Sequence, residues 1–251
     1  MCLIVFAWRP AHALPLVVAA NRDEFHERPS LALAAWDDAP DIIGGRDLQA
    51  GGTWMGIRPD GRFAALTNIR AGGQPPGRRS RGELPEQYLR SDLHPAEYLA
   101  KLAGCVDDYA GFNLLAGTAE ELWHFNSQLG KPQRLDAGVY GLSNADLDTP
   151  WPKLRRARAA LVAQLGAAQP ESLLQLLSDD QPAADAELPS TGVPPEWERR
   201  LSSIFIASPE YGTRASTALL RWQDGTLDIR ERRFGPEGML GESAYRHPSS
   251  R

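Results

Sequence analysis

The sequence predicts an α+β fold built on largely antiparallel sheet. Apolar, strand-like segments come in pairs separated by short turns, helical patterns fall together in the middle of the chain, and strand-like patterns return after them. Strands joined by hairpins pair antiparallel, and helices gathered in separate runs are typical of α+β proteins. The sequence has no internal repeat and no convincing linker, so we expect one domain over residues 1–251.

The N-terminal part of the chain predicts two hairpins. Leu3–Trp8 and Leu16–Ala20 are rich in Val, Leu, Ile and Phe, and a Pro-containing segment between them marks a loop. The polar cluster Asn21–Glu24 is expected to end the second strand. Gly52–Arg58 and Arg62–Asn68 flank a Pro-Asp-Gly sequence, which is a strong turn signal, and form the second predicted hairpin.

Helical patterns follow a predicted loop. Ala71–Gly82 is rich in Gly, Pro and Arg and has no apolar period, which indicates a loop. Pro85–Arg90 and Pro95–Ala103 begin with proline and carry apolar residues three or four apart, as helices do. Trp151–Leu165 is the clearest predicted helix, with arginines opposite its apolar face, and Pro170–Leu177 is another.

The other segments are read as strands or as irregular chain. The predicted strands are Phe112–Gly117, Glu121–Asn126, Gly138–Leu142, Ile204–Ala207, Ala215–Trp222 and Leu227–Arg232. The segment Gln181–Pro195 is rich in Pro, Ala and Asp, and we expect a surface loop there. The polar tail from Gly235 onward is expected to be loose.

Composition excludes several function classes. Apolar residues make up 42% of the chain and charged residues 24%, as in a globular protein that buries a sizeable core. The net charge of −5 gives no reason to expect a nucleic-acid partner, because phosphate binding needs a clustered basic surface. No apolar run approaches the roughly 18–20 residues of a membrane helix, and Leu3–Trp8 is too short for a signal-peptide core. We therefore expect a cytoplasmic location.

No pattern points to a metal or another cofactor. The sequence has no Cys-x-x-Cys, no Ser-centred nucleophile elbow and no Walker-type loop. The histidines show no metal-ligand spacing: His12, His26, His94, His124 and His247. The two cysteines, Cys2 and Cys105, are expected to be free thiols.

Cys2, which follows Met1 and opens an apolar strand, is the candidate nucleophile. Small residues at this position usually permit removal of Met1, which leaves an α-amine that titrates near roughly 7.7–8.0. Part of that amine is neutral at physiological pH, so nucleophile and base would sit on one residue. The position is equally typical of a small hydrophobic residue that starts a buried strand, and both interpretations stay open.

Motifs spread along the chain resemble the NRDE family, also called the transport and Golgi organisation family. They are Met1–Phe6, Asn21–Glu24, Gly51–Gly56, Leu66–Asn68, Gly141–Asn144, Trp151–Leu154 and Tyr211–Arg214. The resemblance implies an N-terminal-nucleophile hydrolase-like fold, which is a four-layer αββα sandwich of two largely antiparallel sheets.

The resemblance also implies a set of site residues. The mechanistic relatives that it suggests, penicillin V acylases and bile salt hydrolases, cleave amides with an N-terminal cysteine. An arginine and an aspartate follow their first hairpin, two asparagines line the oxyanion site, and a late arginine lies near the nucleophile. The corresponding residues here would be Arg22, Asn68, Asn144 and Arg214. The carboxylate is displaced in this sequence, and either Asp23 or Glu24 is a candidate.

Each of these assignments has a chemical reason and a structural alternative. A guanidinium at Arg22 or Arg214 would stabilise a thiolate, but Arg22 could equally pair with an acidic neighbour. An asparagine amide that donates to an oxyanion is worth roughly 3–4 kcal/mol, whereas asparagine at a strand end also serves as a turn or cap residue.

These observations lead to three functional hypotheses. The first is a cofactor-independent cysteine amidohydrolase that cleaves C–N bonds of a small molecule through Cys2. The second is a non-catalytic binding or trafficking protein for a haem or lipid-like ligand, which rests on the resemblance alone. The third is a purely structural module.

Overall fold

Two β-sheets lie face to face in a computed structural model of the chain, which describes residues 2–73 and 75–249. The strands of the described residues are β1 (Cys2–Trp8), β2 (Leu16–Phe25), β3 (Ser30–Trp36), β4 (Ala39–Asp47), β5 (Met55–Ile57), β6 (Phe63–Asn68), β7 (Phe112–Gly117), β8 (Leu122–Asn126), β9 (Pro132–Arg134), β10 (Gly138–Leu142), β11 (Tyr211–Arg221), β12 (Leu227–Gly235) and β13 (Gly238–His247). The first sheet has the order β10-β1-β2-β11-β12-β13, and the second runs from β3 to β9 in chain order. All of these strand pairs are antiparallel.

The helices lie between strands in the chain. They are α1 (Glu83–Arg90), α2 (Pro95–Ala103), α3 (Pro152–Gln164), α4 (Pro170–Leu176) and α5 (Pro195–Arg200), with short 3₁₀ turns at 106–108, 165–167 and 185–187. Helices α2 to α5 carry proline in the first turn, where the missing N–H would have no intrahelical acceptor. None of the helices in the described residues has the length and apolar character of a membrane span.

Three apolar clusters define the layers. One lies between the sheets and includes Ile4 and Phe6 from β1 together with Ile57 from β5. A second packs the outer face of the first sheet, through Leu3 and Val5, against α3 and α4. The third packs the outer face of the second sheet against α1 and α2. Helices therefore cover both outer faces, and the predicted α+β fold, a four-layer αββα sandwich of antiparallel sheets, is confirmed.

The near-continuous apolar run of β1 follows from its place in these layers. Successive side chains of a strand point to opposite faces of the sheet. In β1 the even-numbered residues from Ile4 onward enter the core between the sheets, and the odd-numbered residues lie beneath α3 and α4. Both faces of β1 are therefore buried.

The expectation that Asn21–Glu24 ends the second strand is wrong. Strand β2 continues to Phe25 because neighbouring strands pair with it: Arg22 lies opposite Cys2 in β1, and β11 pairs with the residues from Asp23 to Phe25. Neighbouring strands satisfy the main-chain groups of the polar cluster, so it does not need solvent.

Other boundaries also differ from expectation. The tail is not loose: Gly238–His247 forms β13, which is an edge strand and alternates exposed with half-buried residues. Ile204–Ala207 is not a strand: the Thr213 N–H donates to the Ile206 carbonyl, but side chains take the neighbouring partners, since Asn21 donates to the Ile204 carbonyl and the Thr213 hydroxyl accepts from the Ile206 N–H. Strands β3 and β4 and helix α5 lie where no element was predicted.

Candidate functional site

Cys2 opens β1 at the end of its ladder with β2. Its half-buried thiol is free, and the residue pairs with Arg22 of β2. By strand alternation its side chain points to the same face as Ile4, toward the space between the sheets. The predicted removal of Met1 concerns a residue outside the described ranges and stays a prediction.

A cavity of about 350 Å³ opens at Cys2. Its wall is built from the end of β2, the end of β6, the segment before β5 and the loop before α1. Charged and polar residues dominate that wall: Arg22, Asp23, Glu24, Arg28, Asp47, Thr53, Asn68, Arg78, Arg79, Ser80 and Arg81. The predicted residues Cys2, Arg22, Asp23 and Asn68 thus meet at one cavity.

The Cys2 thiol is held in its protonated form. Burial raises the pKa of the Cys2 thiol, and the negative charge of Asp23 raises it further. The guanidinium of Arg22 and the main-chain N–H of Asp23 act in the opposite direction but do not outweigh burial. Because only the thiolate is strongly nucleophilic, a reaction at this sulfur requires a base that removes its proton.

Arg22 is a buried cation, and one nitrogen of its guanidinium has no hydrogen-bond acceptor among the described residues. Its guanidinium lies over the Trp54 ring, 4.5 Å from the ring centroid. Its Nη2 atom lies 3.9 Å from the Asp47 carboxylate, which is engaged more closely by Arg28 at 2.7 Å. Its Nη1 atom is buried and has no hydrogen-bond partner among residues 2–73 and 75–249. Arg22 therefore has an uncommitted N–H group and lines the Cys2 cavity.

The two candidate carboxylates occupy different places. Asp23 is 1% exposed, and its Oδ1 atom accepts a hydrogen bond of 2.8 Å from the Thr213 hydroxyl. Glu24 is half-buried, and its carboxylate accepts from the N–H of Phe25 at 2.9 Å. Asp23 is the carboxylate whose charge acts on the Cys2 thiol. Because Cys2 pairs with Arg22, the register also brings the α-nitrogen side of Cys2 next to Asp23.

Asn68 lines the cavity, whereas Asn144 supports it from behind. Asn144 is 1% exposed and follows β10; its Nδ2 atom donates to the main-chain carbonyl of Asn68 at 2.9 Å. The hydroxyl of Ser143 lies 3.1 Å from the Cys2 carbonyl and 3.3 Å from the Asn144 Oδ1 atom. The side-chain amide of Asn144, which was predicted to donate to the oxyanion, thus already donates to a main-chain carbonyl.

Arg214 lies outside the cavity wall and holds the turn after β2. Its guanidinium donates to the carbonyls of Phe25, His26 and Arg28 at 2.8–3.0 Å and to that of Phe234 at 3.2 Å. These contacts show that Arg214 stabilises the backbone of this turn. Its predicted catalytic role stays a prediction.

Sequence reasoning missed several charged residues around Cys2. Arg81, in the loop before α1, lines the cavity and donates to the Gly111 carbonyl at 3.1 Å. Its charge interacts with Cys2, and burial lowers the pKa of its guanidinium. The cluster of arginines in an otherwise featureless loop was the available signal. The sequence singled out Lys153 only as part of the motif Trp151–Leu154.

A second cavity of about 500 Å³ adjoins the first and is mainly apolar. The two cavities share Glu24, Arg28, Asn68 and Arg81. The rest of the second wall is Phe25, Val193, Pro194, Trp197, Leu201 and Tyr211. Within the part of the chain that the structure describes, no group of three or more His, Cys, Asp or Glu residues is arranged to hold a metal ion.

The fold resembles those of solved structures, among them the following two. The Caenorhabditis elegans orthologue of N-acylethanolamine-hydrolyzing acid amidase is 10% identical, covers 87% of this chain and 92% of its own, and has a TM-score of 0.41. A mutant conjugated bile acid hydrolase from Clostridium perfringens is 8% identical, covers 100% and 97%, and has a TM-score of 0.43.

Sequence relatives are much closer. The family described as Transport and Golgi organisation 2 matches residues 1–236. The Bos taurus transport and Golgi organization protein 2 homolog is 35% identical over 98% of this chain and 96% of its own length. The Homo sapiens homolog is 34% identical over 92% of each, and the Drosophila melanogaster protein is 29% identical over 88% and 87%. The chain therefore belongs to the Transport and Golgi organisation 2 family.

Proposed function

We propose that this protein is a cofactor-independent cysteine amidohydrolase whose nucleophile is Cys2. One observation carries the proposal: a thiol that burial keeps protonated opens on a cavity beside a cation with an uncommitted N–H group, Arg22. A small hydrophobic residue at a strand start would need neither the cavity nor the charges. Removal of Met1 is part of the proposal.

The reaction proceeds through a thioester. The free α-amine of Cys2 takes the thiol proton, and the sulfur attacks the substrate carbonyl, whose π electrons move to oxygen. When the carbonyl reforms, the C–N bond breaks and the α-ammonium returns its proton to the leaving amine. Water then attacks the thioester with the same amine as base, which releases a carboxylic acid and restores the thiol.

The surrounding groups have separate roles in this mechanism. Asp23 accepts a hydrogen bond from the α-amine and orients it, since the strand register runs the α-nitrogen side of Cys2 beside Asp23. Arg22 and Asn68, which line the cavity, stabilise the oxyanion. Asn144 holds the main chain of Asn68, and Arg214 holds the turn that follows β2. In this proposal both residues act as supports, and the direct roles that the resemblance implies for them stay predictions.

The second cavity favours substrates with an apolar part. It adjoins the Cys2 cavity and presents Phe25, Trp197 and Tyr211, so an amide with a hydrocarbon or aromatic acyl group would bury that group there. The junction between the cavities carries charges of both signs, from Arg28, Arg81 and Glu24.

Turnover of a panel of aromatic and fatty acyl amides tests the proposal, with released amine as the readout. The wild-type protein is expected to be active and Cys2→Ala inactive, while the matched control Cys105→Ala keeps full activity. An N-terminally extended variant, which has no α-amine on Cys2, is expected to lose activity although its thiol remains. Activity that survives Cys2→Ala would overturn the proposal.

The apolar cavity also favours one alternative, which is a non-catalytic protein that binds a lipid-like ligand. No comparable observation favours haem: the His26 ring bonds the Ser208 carbonyl at 3.0 Å. Quenching of tryptophan fluorescence by a fatty acid, with Trp197→Ala as control, tests the alternative. Saturable binding to a protein that never turns over any amide would favour it.

A further inference from the structure

Lys153 is a buried cation that the proposed mechanism does not use. It is 1% exposed and is among the largest fully buried side chains. Its Nζ atom has no hydrogen-bond partner in the part of the chain that the structure describes. Moving an ammonium group out of water is strongly unfavourable unless an opposite charge compensates, so the position needs an explanation.

The local fold makes this position still less favourable for a cation. Lys153 lies in the first turn of α3, and no acidic residue accompanies it there. The N-terminal end of a helix carries partial positive charge, which disfavours a cation. The next residue, Leu154, packs in the apolar cluster beneath the first sheet with Leu3 and Val5. A methionine would suit these surroundings better than a lysine.

The charged groups that face Lys153 identify its partner. Asp23 and Cys2 favour the ammonium, and Arg70 opposes it. Arg70 is itself occupied, because its Nη1 atom lies 3.1 Å from the buried carboxylate of Glu198 and its guanidinium stacks on Trp151. Asp23 follows Arg22 along β2, so its side chain lies on the face of the first sheet that α3 covers, and Asp23 is the carboxylate whose charge favours the ammonium of Lys153. Burial lowers the pKa of Lys153 to about 8, and Asp23 holds it from falling further.

The buried carboxylate of Asp23 is, in turn, stabilised by a nearby positive charge. Burial raises the pKa of the Asp23 carboxyl, and Lys153 is the strongest of the influences that lower it. Other groups around Asp23 include the Thr213 hydroxyl, which donates to its carboxylate, the Tyr211 hydroxyl, which donates to its carbonyl, and Arg22. Without Lys153 the protonation equilibrium of the Asp23 carboxyl shifts toward its neutral, protonated form.

We propose that Lys153 is a positioning residue of the Cys2 site, whose ammonium is the counter-charge that keeps Asp23 ionised so that Asp23 can orient the α-amine of Cys2. The role of the amine rests on the proposed function, whereas the charge pair itself does not. Lys153 acts through Asp23 and does not touch the substrate.

The lysine content of the chain allows a direct test. The sequence contains only Lys101, Lys131 and Lys153, so protein labelled with ¹³C at the lysine ε-carbon gives three side-chain NMR signals. Lys101 and Lys131 are exposed and serve as internal controls. We expect one signal to titrate near pH 8, and its absence from Lys153→Met assigns it.

The decisive comparison is Asp23→Asn against Glu24→Gln, which removes the neighbouring carboxylate. Asp23→Asn is expected to move the Lys153 titration to lower pH, because the ammonium loses its partner, while Glu24→Gln leaves it near that of the wild type. An unchanged Lys153 titration in Asp23→Asn would overturn the inference. If Lys153→Met does not fold, the Lys153 signal is assigned by elimination with Lys101→Arg and Lys131→Arg.

Activity measurements separate this inference from the proposed function. In Lys153→Met we expect kcat to fall by about 10²-fold, the cost of a catalytic group displaced by about 1 Å, with KM near its wild-type value. If the Lys153 titration shifts in Asp23→Asn but the wild-type protein hydrolyses no amide, the interaction between Lys153 and Asp23 is supported and the proposed function is wrong. Wild-type kcat in a folded Lys153→Met would overturn the positioning role.

Discussion

At the residue scale, the chemistry of Cys2 is set by opposing influences. Burial and the charge of Asp23 favour the thiol, whereas Arg22 and the main-chain N–H of Asp23 favour the thiolate. Because burial dominates, the resting sulfur is protonated and protected from adventitious alkylation and oxidation. A base adjacent to the sulfur, which the α-amine of the same residue would provide, can release it for reaction.

Removing the guanidinium of Arg22 should make the Cys2 thiol harder to ionise. In Arg22→Met, which keeps an apolar stem over Trp54, we expect the midpoint of the alkylation rate against pH to rise by about one unit or more. Iodoacetamide labelling followed by peptide mass spectrometry separates Cys2 from Cys105. A midpoint equal to that of the wild type would contradict the electrostatic role of Arg22.

Asn144 should matter for stability as well as for the site. Asn144→Ala leaves the half-buried main-chain carbonyl of Asn68 without this donor, which we expect to cost about 1 kcal/mol or more of unfolding free energy in urea titrations. Asn68→Ala is the matched control, because it keeps that carbonyl while removing the cavity-lining amide. Equal stability losses in the two variants would contradict the supporting role of Asn144.

At the element scale, the two predicted hairpins and helices α1 to α4 could be read from the sequence, whereas β3, β4, α5 and the site's long-range contacts could not. The apolar run of β1, the apolar periodicity of α3 and the turn before β6 identify those elements directly. The end of β2 pairs with β11, which is far away in sequence, so its polar residues look like a strand terminator. Arg81 was missed because only tertiary structure brings its loop to Cys2. The same holds for Lys153, whose partner Asp23 lies on another element.

The contact between β4 and the segment before β5 offers a test at this scale. A Cβ atom on Gly45 would lie 2.2 Å from the Trp54 ring, so Gly45→Ala should push Trp54 away from Arg22. We expect a loss of about 1–3 kcal/mol in unfolding free energy and a raised midpoint of Cys2 alkylation. Gly166→Ala is the control, since a Cβ there meets nothing within 4 Å. Unchanged stability and reactivity in Gly45→Ala would contradict the close packing.

At the scale of the whole molecule, the site sits where the two sheets end together. The first sheet contributes Cys2, Arg22 and Asp23, and the second contributes Asn68. The bond from Asn144 to the Asn68 carbonyl joins the end of β10 to the end of β6 and ties the two sheets at the cavity. The four-layer core therefore fixes the distance between the nucleophile and its supporting groups.

The buried His124 predicts how the fold responds to acid. It is 2% exposed, its Nε2 atom lies 3.2 Å from Asn113 Oδ1, and burial lowers its pKa to about 4. The unfolded chain binds a proton near pH 6.5 and the folded chain only near pH 4, so stability is lost as pH falls through this window. When the pH is lowered from 7 to 5, the unfolding free energy of the wild type, measured in urea, should fall by about 2 kcal/mol more than that of His124→Gln.

The control for this measurement is the exposed His12. His12→Gln should retain the pH dependence of the wild type. Parallel stability curves for the wild type and His124→Gln would contradict the assignment.

Mass spectrometry of the N-terminal peptide, after reaction with an activated acyl donor such as p-nitrophenyl hexanoate, tests the central claim most directly. We expect the peptide to begin at Cys2 and to carry one acyl group on that residue, with Cys105 unmodified. A peptide that retains Met1, or a folded protein that acquires no acyl group at Cys2, would contradict the claim that Cys2 is an N-terminal nucleophile.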